Sequence, residues 1–392
     1  MKKKYISFLF IIFSIQGLIS QSLRLSVYSE VSIITVGPGN ALFEAFGHSA
    51  IRIKDPLLKM DAIYNYGVFD FTPDFYMNFA KGRLLYKLQR QPFDYFLQSN
   101  KADERWMKGQ VLNLTQQEKQ AFFLYLENNA LPQNAFYHYD PYFDNCATKL
   151  RDITQEILKD KVQFSSEYVT HKQSLRQLMD KELSWNTWGS FGINLALGTK
   201  LDKVASASEY MYLPDYIYSA FKNAKKFDNG SSKPLIIKEE VLLSFDEKKQ
   251  RISWYNPFFV FSFLLLIAVY VTYRDCKNNK RSKWLDFTIF FITGLSGILI
   301  VFLWFFTDHI TTPNNFNILW AFPLNFVMAF LLLRKHQAKW IHFYLKLCLL
   351  LIVIALIIWV TKVQLFSLAI LPLIAMLILR YYYLNKLLSF KK

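Results

Sequence analysis

The chain has 392 residues, a net charge of +16 and 53% hydrophobic residues. Much of the positive charge lies in short loops between apolar segments, so the composition favours a membrane protein and argues against a nucleic-acid-binding protein. The sequence has no glycine-rich phosphate loop, no paired-cysteine zinc spacing and no internal repeat, so we expect neither a metal ion nor a cofactor.

Residues 1–20 have the form of a signal peptide. Three lysines precede an apolar run from Ile6 to Ile15, which is too short for an ordinary membrane span. We expect cleavage near Ser20, with an uncleaved anchor as the alternative. The mixed sequence of residues 21–252 is then a domain exported to the periplasm.

His48 is the best candidate for a general base in this domain. It lies in the segment Phe46–Ala50, where alternating apolar residues after a glycine predict a short strand. Histidine is the side chain most often used for proton transfer near neutral pH. The other two histidines of the predicted domain, His138 and His171, lie in stretches typical of a polar loop and a solvated helix.

Two further stretches of this domain have patterns that predict their placement. The aromatic segment from Phe69 to Phe79 could line an acyl-chain groove or rest on a bilayer, but we expect it to pack in the core, the commoner fate of such residues. The region from Trp106 to Asn128 has helical periodicity and is expected to pack beside the helix that carries Cys146.

Cys146 is the candidate nucleophile, and it is the only cysteine outside the hydrophobic C-terminal part. Asp144 and Asn145 are good N-cap residues, and apolar residues recur after them at helical spacing, so Cys146 falls in the first turn of a helix. A helix N-terminus favours a thiolate. We interpret Cys146 as a nucleophile with His48 as its base; a buried inert thiol is the alternative.

From Pro257 onward the sequence consists of apolar segments separated by short polar loops, which predicts an all-α membrane domain of residues 253–392. With their aromatic flanks, five segments are long enough to cross a bilayer. These are Pro257–Tyr273, Leu285–Phe306, Ile318–Leu333, Ile341–Val360 and Leu365–Leu379.

The basic residues alternate between the two sides of this predicted domain. Lysines and arginines follow the first and third segments and end the chain, whereas the loop from Thr307 to Asn317 has none. The positive-inside rule therefore places this loop and residues 21–252 outside and the C-terminus in the cytoplasm. Asp308 and His309 are candidate substrate-binding residues if the loop meets the exported domain; a structural or docking role is the alternative.

Together these motifs resemble the Lnb family of bacterial lipoprotein N-acyltransferases. The resemblance is carried by Phe46–Ala50, Tyr64–Phe71, Asp144–Thr148, Gly192–Gly198, Met211–Tyr216, Asp308, His309, Asn317, Trp320 and Pro323. The order of histidine first and cysteine later also resembles the permuted papain-like hydrolases of the lecithin retinol acyltransferase type. The resemblance implies an α+β, permuted papain-like (NlpC-like) thiol domain followed by an all-α transmembrane domain of five helices.

The resemblance also implies residue roles and a reaction. The position of Asn65 matches the residue that orients the imidazole, so the implied catalytic residues are Cys146, His48 and Asn65, with Tyr64 or Tyr66 as alternative orienting or substrate-binding residues. Cys146 would take an acyl chain from a phospholipid or other acyl-lipid donor as a thioester. The chain would then pass to the N-terminal amine of a diacylated lipoprotein at the bacterial cytoplasmic (inner) membrane.

Two other functions stay open from the sequence. A cell-wall cysteine peptidase of the NlpC type would share the fold and the cysteine–histidine pair, although a polar peptide substrate does not require five membrane spans. A non-catalytic membrane binding or scaffold protein would carry an inert cysteine.

Overall fold

A computed structural model of the chain describes residues 23–228, 230–247 and 252–389. The predicted signal peptide of residues 1–20 lies outside the described residues. The first part of the described chain is α+β and the second part is helical, as the sequence predicts.

The α+β part is built on a seven-stranded antiparallel sheet in the order β10-β5-β1-β2-β3-β4-β6, with a small second sheet in the order β7-β8-β9. The strands are β1 Glu30–Val36, β2 His48–Asp55, β3 Met60–Val68, β4 Leu85–Pro92, β5 Met107–Leu112, β6 Phe136–His138, β7 Val162–Gln163, β8 Lys225–Asp228, β9 Ser231–Pro234 and β10 Ile236–Leu243.

Helices cover both faces of this sheet. They are α1 Phe75–Ala80, α2 Phe93–Ala102, α3 Gln116–Asn129, α4 Cys146–Leu158, α5 Leu175–Glu182, α6 Trp188–Ala196, α7 Ala207–Tyr210 and α8 Pro214–Asn223.

Alternation along the central strands explains the two-sided core. Ile51 and Ile53 of β2 belong to the large apolar core that contains α3, α4 and α8. Ala50 of β2 and Ile63 of β3 face the other way, into a smaller core with Phe96 of α2. Because successive side chains of a strand point to opposite faces, both apolar sets come from one short stretch of sequence.

The region from Trp106 to Asn128 is only partly helical, which corrects the prediction. Met107–Leu112 is strand β5, which pairs with β1 on one side and β10 on the other. The helix starts after Thr115, whose side chain accepts from the Glu118 amide in a capping box. A central strand that is buried on both faces has no regular alternation of polar and apolar residues. The apolar residues of β5 were therefore not distinguished from the helical pattern that follows them. The helical portion does share a core with α4, as predicted.

The segment from Phe69 to Phe79 does not pack in the core, so that expectation is wrong. Phe71 is 71% exposed and Tyr76 is 74% exposed. The reason is topological, because α1 is a short helix in the connection between β3 and β4 and lies outside the sheet.

Residues 252–389 form five α-helices: α9 Pro257–Lys277, α10 Lys283–Phe305, α11 Asn325–Leu333, α12 Ile341–Val360 and α13 Leu371–Ser389. Among the described residues, four helical segments are long and apolar enough to cross a membrane, namely α9, α10, α12 and the stretch Leu368–Ser389 that includes α13.

The third predicted segment, Ile318–Leu333, is not one continuous helix. A short 3-10 turn, Phe316–Leu319, is followed by a non-helical stretch containing Pro323, and α11 then has nine residues. Proline lacks an amide donor and disfavours helical geometry in the residue before it, which explains the interruption.

The third segment nevertheless connects the two ends of the bundle. Asn317, the residue just before it, contacts the α+β domain by donating to the Asn194 carbonyl at 3.1 Å. Its last residue, Leu333, accepts at 2.8 Å from Lys283 at the start of α10. Arg380 of α13 bonds Asp275 and Asp286 at 2.9 and 2.6 Å at that same far end. Such a paired, buried cluster holds α9, α10 and α13 together.

Candidate active site

Cys146 opens helix α4, as the sequence predicts, and Asn145 is the residue that starts the helix. The Asn145 side-chain oxygen accepts from the amides of Ala147 and Thr148, both at 2.9 Å. Its amide nitrogen donates at 2.8 Å to the carbonyl of Pro141 and to that of Tyr212. Asn145 therefore anchors the nucleophile candidate both to the helix and to the neighbouring chain.

His48 is the first residue of β2, and the turn before it requires glycine. Gly47 has a φ of +75°, and a Cβ atom there would lie 2.8 Å from the Val36 carbonyl oxygen. The Nε2 atom of His48 lies 2.6 Å from Oδ1 of Asn65 on β3. The structure thus brings His48 and Asn65 together across two paired strands.

The other side of the imidazole faces Cys146. Because Nε2 contacts Asn65, Nδ1 is the ring nitrogen left to face the thiol. Burial alone would lower the pKa of His48, but the charge of Cys146 and the hydrogen bonds with Cys146 and Asn65 outweigh it and raise the pKa.

The thiol shows the complementary behaviour. Burial would raise the pKa of Cys146, but the His48 charge, the hydrogen bond from His48 and the backbone amides of Ser49 and Ala147 together lower it. These opposite pKa directions favour a thiolate–imidazolium pair over the neutral thiol and imidazole. A thiolate is the nucleophilic form of cysteine, so the pair is suited to covalent chemistry.

A buried arginine beside this pair was missed by sequence reasoning. The Nε atom of Arg105 donates to the Gly37 carbonyl at 2.8 Å, and its Nη1 lies 3.6 Å from Glu44. Its positive charge opposes protonation of His48. No local pattern marks Arg105, because it lies just before β5 and reaches the site only through the pairing of β5 with β1.

Tyr64 and Tyr66 flank Asn65 on β3 but are not brought to the imidazole. The Tyr64 hydroxyl donates to Glu127, and the Tyr66 hydroxyl accepts from Asn129 at 3.0 Å. Neighbours in a strand point to opposite faces, so the placement of Asn65 beside His48 directs both tyrosines to α3. The hydroxyl contacts of Tyr64 and Tyr66 are therefore with α3, which favours Asn65 over the alternative that one of the tyrosines orients His48. A substrate-binding role for Tyr64 and Tyr66 stays a prediction.

Asp308 and His309 lie on the α+β domain, at the end of α1. The Asp308 amide donates to the Lys81 carbonyl at 2.8 Å, and its carboxylate lies 2.8 Å from Nε of Arg83. The His309 ring contacts the Phe79 carbonyl at 3.0 Å. The loop therefore docks beside the exposed aromatic segment and has no direct contact with His48 or Cys146 among the described contacts.

A second junction joins the domain to the membrane part through buried polar side chains. Trp320 donates to Asn317 at 2.9 Å, and Asn317 donates in turn to the carbonyl of Asn194 on α6. The amide of Gly198 donates to the Thr311 carbonyl at 2.9 Å. The contact between the α+β domain and the membrane part is therefore made by motif residues in Gly192–Gly198 and around Asn317. These segments are distant from Cys146 in sequence.

Within residues 23–228, 230–247 and 252–389, no three His, Cys, Asp or Glu side chains are grouped so that they could hold a metal ion. The candidate site instead brings together the thiol of Cys146, the imidazole of His48 and the side-chain amide of Asn65.

The fold and the site define a membrane protein in which an α+β domain with a Cys–His–Asn cluster is joined to a helical domain. Residues 21–180 match the family described as the Lnb N-terminal periplasmic domain, and residues 248–392 match the Lnb transmembrane domain. The chain belongs to the Lnb family. No curated protein and no solved structure matches the chain.

Family membership implies a membrane-associated enzyme that modifies lipoproteins. The N-terminal domain is periplasmic and the helical part is embedded in the inner membrane.

Proposed function

We propose that this protein is a lipoprotein N-acyltransferase that uses Cys146 as its nucleophile, His48 as its base and Asn65 as the residue that orients His48. The observation that supports this most is the placement of Cys146 at a helix N-terminus beside His48, whose Nε2 atom lies 2.6 Å from Oδ1 of Asn65. These surroundings lower the pKa of the Cys146 thiol. An inert structural thiol, buried among apolar groups, would have a raised pKa. This argues against a purely scaffolding protein.

In the first half of the proposed reaction, the Cys146 sulfur attacks the carbonyl carbon of a lipid ester. The ester C–O bond breaks, a thioester forms, and the proton held by His48 passes to the leaving alcohol of the lipid. The backbone amide of Cys146 at the helix start is the proposed donor to the developing oxyanion.

In the second half, the N-terminal amine of a diacylglyceryl-cysteine lipoprotein attacks the thioester carbon. The C–S bond breaks, an amide forms, and His48 takes the amine proton and returns it to the sulfur. Donor and acceptor both sit in the outer leaflet, so joining the domain to membrane helices restricts their encounter to a surface. A cell-wall peptidase would gain nothing from this arrangement.

The proposed topology places the C-terminus in the cytoplasm. Arg281 and Lys283 contact the carbonyls at the end of α11, and Arg380 lies at that same end of the bundle, away from the α+β domain. Basic residues concentrate on the cytoplasmic side of membrane proteins, which supports this orientation.

The test is mass spectrometry of lipoprotein N-terminal peptides from cells that lack their own N-acylation activity. We expect a third acyl chain in cells that carry the intact protein and none with Cys146→Ala or His48→Ala. Cys276→Ala is the matched control, because Cys276 is exposed at the end of α9. Absence of the third chain with the intact protein, or its presence with Cys146→Ala, would contradict the proposal.

A further inference from the structure

The described surface carries a continuous group of aromatic side chains that the catalytic cluster does not use. We call it the aromatic path. Its members are Phe43, Phe69, Phe71, Phe75, Tyr76, Phe79, Tyr86 and Tyr139.

The outer end of the aromatic path is open to its surroundings. Phe43, Phe71, Tyr76 and Phe79 are each more than half exposed, although they are large and apolar or aromatic. Contiguous exposed apolar surface marks an interaction site in a folded protein. Since the prediction of core packing for this segment is wrong, its apolar character requires a ligand or an apolar environment instead.

From this open end the rings continue inward in contact with one another. Phe71 and Phe75 each lie 5.2 Å from Phe69, measured between ring centroids, and Phe69 lies 5.0 Å from Tyr86. Tyr86 is stacked on Tyr139 at 4.4 Å. These separations are those of direct aromatic contact, so the rings form one unbroken apolar wall.

The inner end of the path reaches the nucleophile. A Cβ atom placed on Gly67 would lie 3.6 Å from the Tyr139 ring and 3.7 Å from Cβ of Cys146. Gly67 thus leaves a small open space that is bordered by the last ring of the path on one side and by Cys146 on the other. A methyl group added at this position would be in van der Waals contact with both the Tyr139 ring and Cys146, so the inner end of the path lies beside the nucleophile candidate.

The outer end lies against the membrane part of the molecule. The carbonyls of Phe79 and Lys81 hold the His309 ring and the Asp308 amide, and this loop directly follows α10. Phe305, the last residue of α10, and Phe306 directly after it are themselves exposed aromatic residues, as is typical of a helix end at a bilayer surface. The path therefore runs from the loop that follows a candidate membrane-spanning helix to the neighbourhood of Cys146.

We propose that the aromatic path binds one acyl chain of the donor lipid and guides its ester carbonyl to Cys146. This inference rests on the proposed function, which identifies Cys146 as the nucleophile. It adds a binding site, the aromatic path, and the chemical class of its ligand, a long unbranched acyl chain. Each buried methylene strengthens apolar binding about fourfold, so a chain that lies along the path is strongly preferred over a short one.

The experiment uses the purified full-length protein in detergent micelles with two esters, p-nitrophenyl palmitate and p-nitrophenyl butyrate. Release of p-nitrophenolate in the first turnover measures the acylation rate, and intact-protein mass spectrometry confirms the added acyl group on Cys146. For the wild type we expect a higher rate with palmitate. The variants Phe71→Ser and Phe75→Ser are expected to lower the palmitate-to-butyrate rate ratio about tenfold, equivalent to the loss of roughly two methylene contacts.

Two further variants make the result specific. Phe75→Leu keeps an apolar side chain and is expected to retain most of the preference for palmitate. Tyr95→Ser changes a residue of α2 that is 69% exposed and outside the aromatic path, and it is expected to leave the ratio unchanged.

Three outcomes would overturn the inference. The first is equal rates with both esters in the wild type, and the second is an unchanged palmitate-to-butyrate ratio in Phe71→Ser and Phe75→Ser. The third is an equal fall of both rates in those variants. That third outcome would mean that the rings support the site or contact the membrane. If neither ester acylates Cys146, the thioester mechanism and this inference are rejected together. If chain preference holds but lipoproteins gain no third chain, only the proposed acceptor is wrong.

Discussion

The Nε2 atom of His48 lies 2.6 Å from Oδ1 of Asn65, and these two side chains come from adjacent antiparallel strands. The contact settles which ring nitrogen faces which partner. In the mechanism we propose, Oδ1 of Asn65 accepts a hydrogen bond from a protonated Nε2 while Nδ1 faces the thiol. This contact would fix the tautomer and the orientation that let His48 take the proton of Cys146.

We expect Asn65→Ala to slow alkylation of Cys146 by iodoacetamide roughly tenfold at neutral pH, because a hydrogen bond to a charged group is lost. The Asn65 bond raises the pKa of His48 and thereby helps to lower the pKa of Cys146. Removal of this bond therefore lowers the pKa of His48 and raises the pKa of Cys146. The pH profile of Cys146 alkylation then moves to higher pH. The measurement is the alkylation rate at Cys146 across pH. Asn223→Ala, at an exposed position at the end of α8, serves as control, and an unshifted profile in Asn65→Ala would refute the role of Asn65.

We expect Asn145→Ala to destabilise the start of α4 more than an ordinary cap replacement does. The substitution removes the cap, which costs ~1 kcal/mol, and leaves the carbonyls of Pro141 and Tyr212 without this donor, which costs a further ~1–3 kcal/mol. Hydrogen exchange of the Ala147 and Thr148 amides measures the effect. Thr115→Ala removes the cap of α3 alone and should cost only the first amount; similar losses in both variants would count against the anchoring role of Asn145.

Gly198→Ala should disrupt the junction between the domain and the membrane part. A Cβ atom on Gly198 would lie 1.8 Å from the Pro313 carbonyl oxygen, so one of the two chains has to move, at a cost of at least about 2 kcal/mol. The matched control is Gly192→Ala in α6, where no atom lies within 4 Å of the added carbon and helix propensity improves by up to ~1 kcal/mol. Thermal unfolding in detergent should show a lower Tm only for Gly198→Ala, and equal Tm values would contradict the close approach.

Arg176→Met should be strongly destabilising, because it leaves buried charge without its partner. Arg176 is fully buried and bonds Asp202 at 2.8 Å, Asn194 at 2.9 Å and the Gly198 carbonyl at 2.8 Å. Breaking a buried pair by removing one partner costs ~3–5 kcal/mol, whereas an exposed pair contributes ~0–1 kcal/mol. Lys222→Met breaks the exposed pair with Glu239 and serves as the control. Comparable Tm losses in the two variants would show that the Arg176 cluster does not hold the junction.

Much of the site was accessible from local sequence. Asn145 predicts a helix start at Cys146 because capping is a contact between neighbours in the chain. The glycine before His48 and the alternation after it predict strand β2 for the same reason. The apolar segments after Pro257 predict a membrane domain, since the length of a span depends only on composition.

Other features depend on pairing between distant segments and have no local signature. Arg105 reaches the site only because β5 pairs with β1, and the aromatic residues of α1 are exposed because the connection from β3 to β4 lies outside the sheet. The interruption of the third membrane segment does have a local signal in Pro323, which the apolar run obscured.

The sequence by itself determined the two-part organisation, the helix that presents Cys146 and the strand that begins with His48. These follow from hydrogen bonding and burial along a short stretch of chain. Only the tertiary structure decided that Asn65 rather than Tyr64 or Tyr66 meets the imidazole, and that the loop of Asp308 docks on α1 beside the aromatic path. Strand register and docking depend on which distant surfaces fit together, and that is a property of the packed molecule.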